Sequence, residues 1–416
     1  MAIKGVISLP GDKSISHRTL LFSPFTRGKN IIHNISTGLD VESTRQCLLN
    51  CGIKSNKNKQ IVEIFGSELS EPKKPLDCGN SGTTARLLVG LIAGNQINAT
   101  IFGDKSLSSR PMNRIIKPLE HMGAKLVSKK SFLPIEILSS KLNGINYKIT
   151  VASAQVKSCL ILAALGAKSP SHFKEVLKTR DHTEIMLKNM GAEILVNGKY
   201  IEVLPTKKIL KNYDITVPGD PSSAAFFIGA ALIIPNSNLI LKNILFNPSR
   251  IGFIRVLKRM NAQIQVIKKW KELGELVADI QISYSQLNSI DLKSKDIPAM
   301  IDELPIFALI ASQADGITTV KGAKELRHKE SDRIKSICNN LKNIGVKIIE
   351  LKDGFVIEGP SNVTGGKIKS FNDHRIAMTF EIAKLLTSEN IIINNTDCIN
   401  ISFPEFKDTL NKINNS

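Results

Sequence analysis

One alternation of apolar and polar positions recurs along the whole chain. An apolar helical segment, a small or polar break and a short β-like strand occupy residues 20–34, 88–103, 160–175, 227–243, 307–322 and 381–395. The ends of these segments fall roughly 70 residues apart, a period that marks a structural repeat. A second signature keeps the same spacing: Leu48-Leu-Asn-Cys-Gly-Ile53, Leu119-Glu-His-Met-Gly-Ala124, Leu187-Lys-Asn-Met-Gly-Ala192, Leu257-Lys-Arg-Met-Asn-Ala262 and Leu341-Lys-Asn-Ile-Gly-Val346. In each, Gly or Asn stands where a helix end favours a left-handed residue, and a strand is predicted to follow. Further short strands are predicted at 61–65, 148–151 and 201–204.

Each unit therefore reads as helix, strand, helix, strand, with extra short strands. Six mixed α/β units divide most simply into two domains of three. Pro10-Gly11-Asp12 and Pro218-Gly219-Asp220 are matching turn-rich segments that predict the crossing points. The first domain is then expected at 13–217, and the second at 1–12 with 218–416.

Composition adds limits. At 416 residues, 42% hydrophobic and 22% charged, the chain predicts a globular protein of more than one domain. No stretch of eighteen apolar residues predicts a membrane span. The first functional motif begins at residue 10, which leaves no room before it for a leader, so a cytoplasmic location is expected. The six cysteines, at 47, 51, 78, 159, 338 and 398, show neither Cys-x-x-Cys pairs nor zinc spacing. Buried reduced thiols and no metal are expected.

The formal charge of +19 raises nucleic acid as a partner. Aromatics make up only 5% of the chain, poor material for base stacking. Only 13 of the 56 basic residues are arginines. A chain rich in Lys, Ile and Asn acquires charge from general composition, and Arg should persist where its planar fork matters. Several arginines stand in polar, turn-like segments, which points toward small anionic ligands instead.

The candidate chemistry lies in those segments. Pro10-Gly-Asp-Lys-Ser-Ile-Ser-His-Arg18 places two cations and two hydroxyls at a strand-to-helix turn, where free N–H groups attract anions. An anion site and an ordinary capped helix both fit that stretch alone. Asp77-Cys-Gly-Asn-Ser-Gly-Thr-Thr-Ala-Arg86 opens another helix in the same way, and Gly103-Asp-Lys-Ser-Leu-Ser-Ser-Arg-Pro-Met112 is a further Gly/Ser/Arg loop. Val151-Ala-Ser-Ala-Gln-Val-Lys157 puts a hydroxyl, an amide and a cation at the front of an apolar helix. Thr179-Arg-Asp-His-Thr-Glu184 is similar, although Thr and Asp also serve as plain caps. Ile297-Pro-Ala-Met-Ile-Asp-Glu-Leu-Pro305 sets two carboxylates in apolar surroundings, where desolvation raises a carboxyl pKa. Glu325-Leu-Arg-His-Lys-Glu-Ser-Asp-Arg333 is the densest charge run: either a solvated face or a set in which Lys329, Glu330 and Arg333 hold each other. Asn372-Asp-His-Arg375 precedes the last apolar helix. No Walker loop, Gly-x-Gly-x-x-Gly fingerprint or Ser-His-Asp order is present.

Taken in order, these motifs resemble those of the 5-enolpyruvylshikimate-3-phosphate synthases. The resemblance runs from about residue 5 to 408 and includes Asn80-Ser-Gly-Thr-Thr-Ala-Arg86, Ser153-Ala-Gln-Val-Lys-Ser158, Pro218-Gly-Asp-Pro-Ser-Ser223, Lys329-Glu-Ser-Asp-Arg333, Asp373-His-Arg375 and Ser402-Phe-Pro-Glu405. It implies an α/β fold, the two-domain inside-out α/β barrel of the enolpyruvyl transferases, with six βαβαββ repeats, three per domain, and substrates in the cleft between them. The implied reaction moves the enolpyruvyl group of phosphoenolpyruvate to the 5-hydroxyl of shikimate 3-phosphate, in aromatic amino acid biosynthesis.

By the same resemblance, Lys13 contacts both substrates, while Ser14 and Arg18 hold shikimate 3-phosphate. Ser153 and Thr179 bind its phosphate, with Ala154, Gln155 and Lys329 beside it. Phosphoenolpyruvate falls to Lys13, Gly82, Arg110, Gln155, Arg333 and Arg375. Asp302 takes the 5-hydroxyl proton, and Glu330 with Lys329 handles the proton at the methylene carbon. No cofactor, metal, nucleic acid or membrane is implied, and a monomer is expected. Asp12, His17 and Ser153-Ala-Gln155, with Ile401 where one branch carries a phosphate-binding Lys, fit the branch that often tolerates glyphosate. His328 replaces a commonly aliphatic residue. The sister transferase acting on UDP-N-acetylglucosamine needs a cysteine in the loop at 103–110, which has none here. A basic nucleic-acid-binding protein is the alternative from another class.

Overall fold

The repeats become small sheets of one topology in the structure, a computed structural model that describes residues 2–206 and 208–414. In one repeat, Leu76–Asp77 runs parallel to Ala99–Phe102, which pairs antiparallel with Ile135–Leu138, itself antiparallel to Lys125–Ser128. The next repeat copies this order with Asn146–Ile149, Ser171–Glu175, Tyr200–Val203 and Ile194–Asn197. The first copy borrows its opening strand from far along the chain: Asp214–Thr216 lies parallel to Gly28–His33, followed by Ile61–Gly66 and Lys54–Asn58.

The chain separates into two compact units. One holds 11–218 with 271–275; the other holds the residues up to Pro10, 219–270 and those from Leu276 onward. They are called here the 11–218 unit and the 219–416 unit. The borrowing recurs in the second, where Lys4–Ser8 pairs parallel with Asn238–Leu245. Asp291–Leu292, Gly316–Val320, Gly354–Gly359 and Lys347–Leu351 form the next sheet. In the last repeat the described strands are Gly366–Ile368 and its parallel neighbour Ile391–Ile393. The architecture is therefore the expected one, two units built from repeated small α/β sheets, with the sixth repeat lacking its final hairpin among the described residues.

The second sequence signature has a direct structural meaning. Gly52, Gly123, Gly191, Asn261 and Gly345 all have positive φ. After each, the next N–H reaches back across the last turn, as in Ile53 to the Leu48 carbonyl (3.0 Å) and Ala124 to the Leu119 carbonyl (2.9 Å). These are Schellman closures, which satisfy carbonyls the helix leaves open and turn the chain into the following strand.

Helices of two kinds cover each sheet. Asn113–His121 and Gly252–Arg259 are amphipathic and bury one stripe, for example Ile115, Ile116 and Leu119. Gly82–Asn95, Ala154–Leu165, Pro221–Ile233 and Leu304–Ala311 are buried on nearly every face, the pattern of helices enclosed within a core. Two of them pack backbone to backbone. A Cβ on Gly90 would lie 2.1 Å from the Cys159 carbonyl oxygen, and one on Gly166 would lie 1.9 Å from that of Gly94. This close contact fixes the start of the Gly82–Asn95 helix relative to the start of the Ala154–Leu165 helix. All six cysteines are free and buried. Among the described residues no helix is long and apolar enough to cross a membrane.

Candidate active site

The candidate residues of the 11–218 unit collect at helix starts. Asp12 caps Lys13–Leu21 by accepting from the Ile15 N–H (2.9 Å), Ser81 caps Gly82–Asn95, and Ser153 caps Ala154–Leu165, placing Ala154 in its first turn. Capping and motif chemistry thus coincide, because a hydroxyl or carboxylate that ends a loop also opens an anion-attracting helix terminus.

Lys13 is half exposed and its ammonium lies 3.0 Å from Asp40. Burial pushes the Asp40 carboxyl up, but Lys13 and His17 outweigh it and leave the group below its usual range. Ser14 is half-buried one residue further on. Arg18 is buried: Nε donates to Thr183 Oγ1 (2.8 Å), Nη2 to Ser158 Oγ (2.7 Å) and Nη1 to the Ser14 carbonyl (2.9 Å). Most of its fork is therefore spent on protein, so its role begins with fixing Ser14 rather than with an open grip on a ligand.

His17 is fully buried, and burial lowers its pKa to about 3. Its Nδ1 lies 2.7 Å from Thr44 Oγ1, which lies 2.7 Å from Thr84 Oγ1, which donates to Ser81 Oγ (2.7 Å). This polar chain ties the Lys13 helix to the Gly82 helix through the core.

At Gly82 an added Cβ would meet Arg86 Nη1 at 2.6 Å and Arg110 Nη1 at 3.5 Å. Glycine therefore keeps open a space faced by two guanidinium groups. Arg86 donates to Gln155 Oε1 (2.8 Å), and Gln155 donates to Thr83 Oγ1 (2.9 Å). Arg110 donates to Asn80 Oδ1 (2.7 Å), whose amide is held by Asp104 (2.7 Å). Burial and the like charges of Arg110 and Arg114 lower the Arg86 pKa, as expected where cations converge without an anion. Arg86 was named in the sequence only as part of a motif; its pairing with Gln155 depends on the packed helices.

Thr179 is held by Glu175, which accepts from both its N–H (3.1 Å) and its hydroxyl (2.6 Å). Beneath lies a buried triad: the Lys157 ammonium sits 2.7 Å from Glu184 and 3.2 Å from Glu175. Burial raises the Glu184 pKa against the pull of Lys157. Lys157 was visible in the sequence as a cation in an apolar helix; its two acids were not assigned to it.

In the 219–416 unit, Asp302 stands among cations. Its Oδ1 lies 3.2 Å from the Lys329 ammonium and 3.5 Å from Arg333 Nη1, while Arg375 Nη1 donates to its carbonyl (3.0 Å). Arg333 is buried. Nε donates to Asp373 Oδ2 (2.8 Å) and Nη2 to Glu330 Oε2 (2.6 Å), leaving Nη1 buried without a hydrogen-bond partner. Burial pushes Glu330 up, but Arg333 outweighs it and the net shift is down. The alternating charge run is thus partly self-holding: Arg333 keeps Glu330, Lys329 turns to Asp302, and Arg327 pairs with Asp332 (2.8 Å) and Glu350 (2.9 Å).

Of the two carboxylates expected in apolar surroundings, Glu303 is the deeply buried one. Burial raises its pKa against Arg375, and it accepts from the Ser222 hydroxyl. Asp302 retains access to solvent. Ser222 also lies near Arg250, which pairs with Asp220 (2.9 Å), so the Pro218–Ser223 motif holds Glu303. Asp373, buried and bonded to Arg333 and Ser331, is the acid to which the sequence assigned no role. His328 and Ile401 are both exposed. Among the described residues no three His, Cys, Asp or Glu side chains are grouped so as to hold a metal ion.

The family model of EPSP synthase (3-phosphoshikimate 1-carboxyvinyltransferase) matches residues 1–410. A protein of Endomicrobium trichonymphae named 3-phosphoshikimate 1-carboxyvinyltransferase is 45% identical, over 99% of this chain and 97% of that one. One of the same name from Syntrophomonas wolfei is also 45% identical with the same coverage. The solved structure of EPSP synthase from Acinetobacter baumannii superposes with TM-score 0.93 at 39% identity, covering 99% of this chain and 96% of the other. The enolpyruvyl transferase NikO from Streptomyces tendae shares the fold, with TM-score 0.80 at 14% identity. The chain belongs to the EPSP synthase family, the 3-phosphoshikimate 1-carboxyvinyltransferases.

Proposed function

We propose a division of labour among these residues in the transfer of an enolpyruvyl group from phosphoenolpyruvate to the 5-hydroxyl of shikimate 3-phosphate, with release of phosphate. The observation that carries it is Asp302, a partly accessible carboxylate set against Lys329 and Arg333, with Arg375 bonded to its backbone. Asp302 accepts the 5-hydroxyl proton as the hydroxyl oxygen attacks the enol carbon. Glu330, with Lys329, delivers and then removes the proton at the methylene carbon while phosphate leaves.

The charges around Glu330 suit that exchange. Arg333 holds it ionised; an anion drawing on the Arg333 guanidinium would weaken that hold and let Glu330 take up a proton. Arg110, Arg333, Arg375 and the space over Gly82 receive phosphoenolpyruvate, with Lys13 and Gln155 at its edge. Ser14, Ser153, Ala154, Gln155 and Thr179 receive shikimate 3-phosphate, and Arg18 acts there through Ser14. Fixed cations around two polyanions lower the barrier by orientation and by charge stabilisation.

We read the protein as a cytoplasmic monomer without nucleic acid, a location supported by six free buried thiols. The exposed Ile401, in place of a phosphate-binding Lys, supports the glyphosate-tolerant branch. The test is phosphate release from phosphoenolpyruvate with shikimate 3-phosphate. Release with UDP-N-acetylglucosamine instead, or with neither acceptor, overturns the assignment.

A further inference from the structure

Outside the residues assigned above, the 11–218 unit contains a cavity of about 380 Å³. Its walls include Arg114, Lys117, Tyr147, Ile149, Val151 and Val156, and no Asp or Glu lines it. Arg114 and Lys117 both lie on the Asn113–His121 helix, three residues apart and hence on one face. Neither makes a hydrogen bond or ion pair among the described residues. In this chain that is unusual for an arginine: Arg18, Arg27, Arg45, Arg86, Arg110 and Arg333, among others, are all bonded. Two unpaired cations over a cavity with no acid in its lining leave an uncompensated positive field, which an anion would answer.

The remaining walls say what kind of anion. Pro111, Ile149, Val151 and Val156 offer apolar surface, Tyr147 presents an aromatic ring, and Asn113 and Thr150 add polar groups beside the two cations. Such walls favour a ligand with a flat apolar body, and the planar Arg fork favours a carboxylate at its end. We propose that this cavity is a second ligand site, for a small carboxylate carried on an aromatic or similarly flat apolar body. The site is coupled to the substrate residues by position. Val151 and Val156 bracket Ser153, Ala154 and Gln155 in the chain, and Arg114 acts electrostatically on Arg86, the partner of Gln155. A bound carboxylate would offset the repulsion that Arg114 exerts on Arg86, the group that holds Gln155.

Benzoate is the probe, titrated calorimetrically into the whole chain. One benzoate per chain is expected, also when shikimate 3-phosphate is saturating, and binding should weaken at least ~10-fold in the Arg114→Gln/Lys117→Gln double variant, which removes both charges. Both side chains are exposed, so the variant should melt at the wild-type temperature. Tyr147→Ala should weaken benzoate and leave inorganic phosphate unaffected. Displacement of benzoate by shikimate 3-phosphate, equal affinity for inorganic phosphate, or indifference to the double variant would each overturn the proposal. Failure of shikimate 3-phosphate itself to bind would bear on the catalytic reading and not on this one.

Discussion

Arg333 and Asp373 form a buried two-point pair, with Arg333 Nε 2.8 Å from Oδ2 and Nη2 3.3 Å from Oδ1 of the same carboxylate. Burial lowers the Arg333 pKa and raises that of Asp373, but mutual attraction reverses both shifts, so each is held in its charged form. The pair anchors a cation that touches both Glu330 and Asp302.

Asp373→Asn should therefore cost more than a surface acid. Asn still caps the His374–Ala383 helix, so capping is largely retained and the loss reports on the pair. Removing one partner of a buried pair costs up to about 3–5 kcal/mol, of which Glu330 and Asp302, still beside Arg333, offset a part. Urea unfolding measures it, and a loss below about 1 kcal/mol would show that the pair is not what holds Arg333.

Asp302→Asn should fold as the wild type does and still bind both substrates. Its turnover should fall at least ~100-fold, the usual share of a general base. Steady-state phosphate release decides the point. Turnover within a few-fold of wild type moves the role to Glu303 or Glu330.

Arg110→Lys and Arg375→Lys each preserve charge but not the fork. Arg110 is oriented by Asn80 and Arg375 by the Asp302 carbonyl, contacts that fix a planar group and give less hold on a flexible ammonium. Affinity for phosphoenolpyruvate, titrated with shikimate 3-phosphate present, should drop at least ~10-fold in both. Unchanged binding in both variants removes these residues from the site.

His17 makes stability depend on acid. Its folded pKa, about 3, lies below the ordinary 6.5, so the fold excludes a proton that the unfolded chain accepts. The contribution is complete above the unfolded value and is lost as pH falls toward the folded one. Each pH unit in that window removes about 1.4 kcal/mol for this group. His374, lowered to about 4 by burial and then by Arg375, adds to the same slope. Chemical denaturation at pH 7, 6 and 5 should show the decline, and His17→Gln should flatten it by close to one proton. An identical slope in the variant would mean that His17 is not neutral in the fold.

What the sequence by itself determined was periodic and local. Helices, strands and their glycine or asparagine closures repeat every roughly 70 residues, and each closure depends only on a left-handed residue within one helical turn. The motifs at Lys13, Gly82 and Ser153 were legible because caps and anion-attracting helix starts use the same short residue sets, and Asp302 because it is one of two carboxylates in an apolar segment. Tertiary structure alone decided the rest, since it depends on pairings between distant segments. Examples are Asp214–Thr216 completing the first sheet, Glu175 and Glu184 converging on Lys157, and the buried Arg18 donating to Ser158 and Thr183. Asp302 and Glu303 show the division most clearly. They are adjacent in an apolar segment and indistinguishable by pattern, yet packing buries Glu303 against Ser222 and turns Asp302 toward Lys329 and Arg333. Burial and charge are properties of surroundings, and for these two carboxylates the surroundings come from segments far away in the chain.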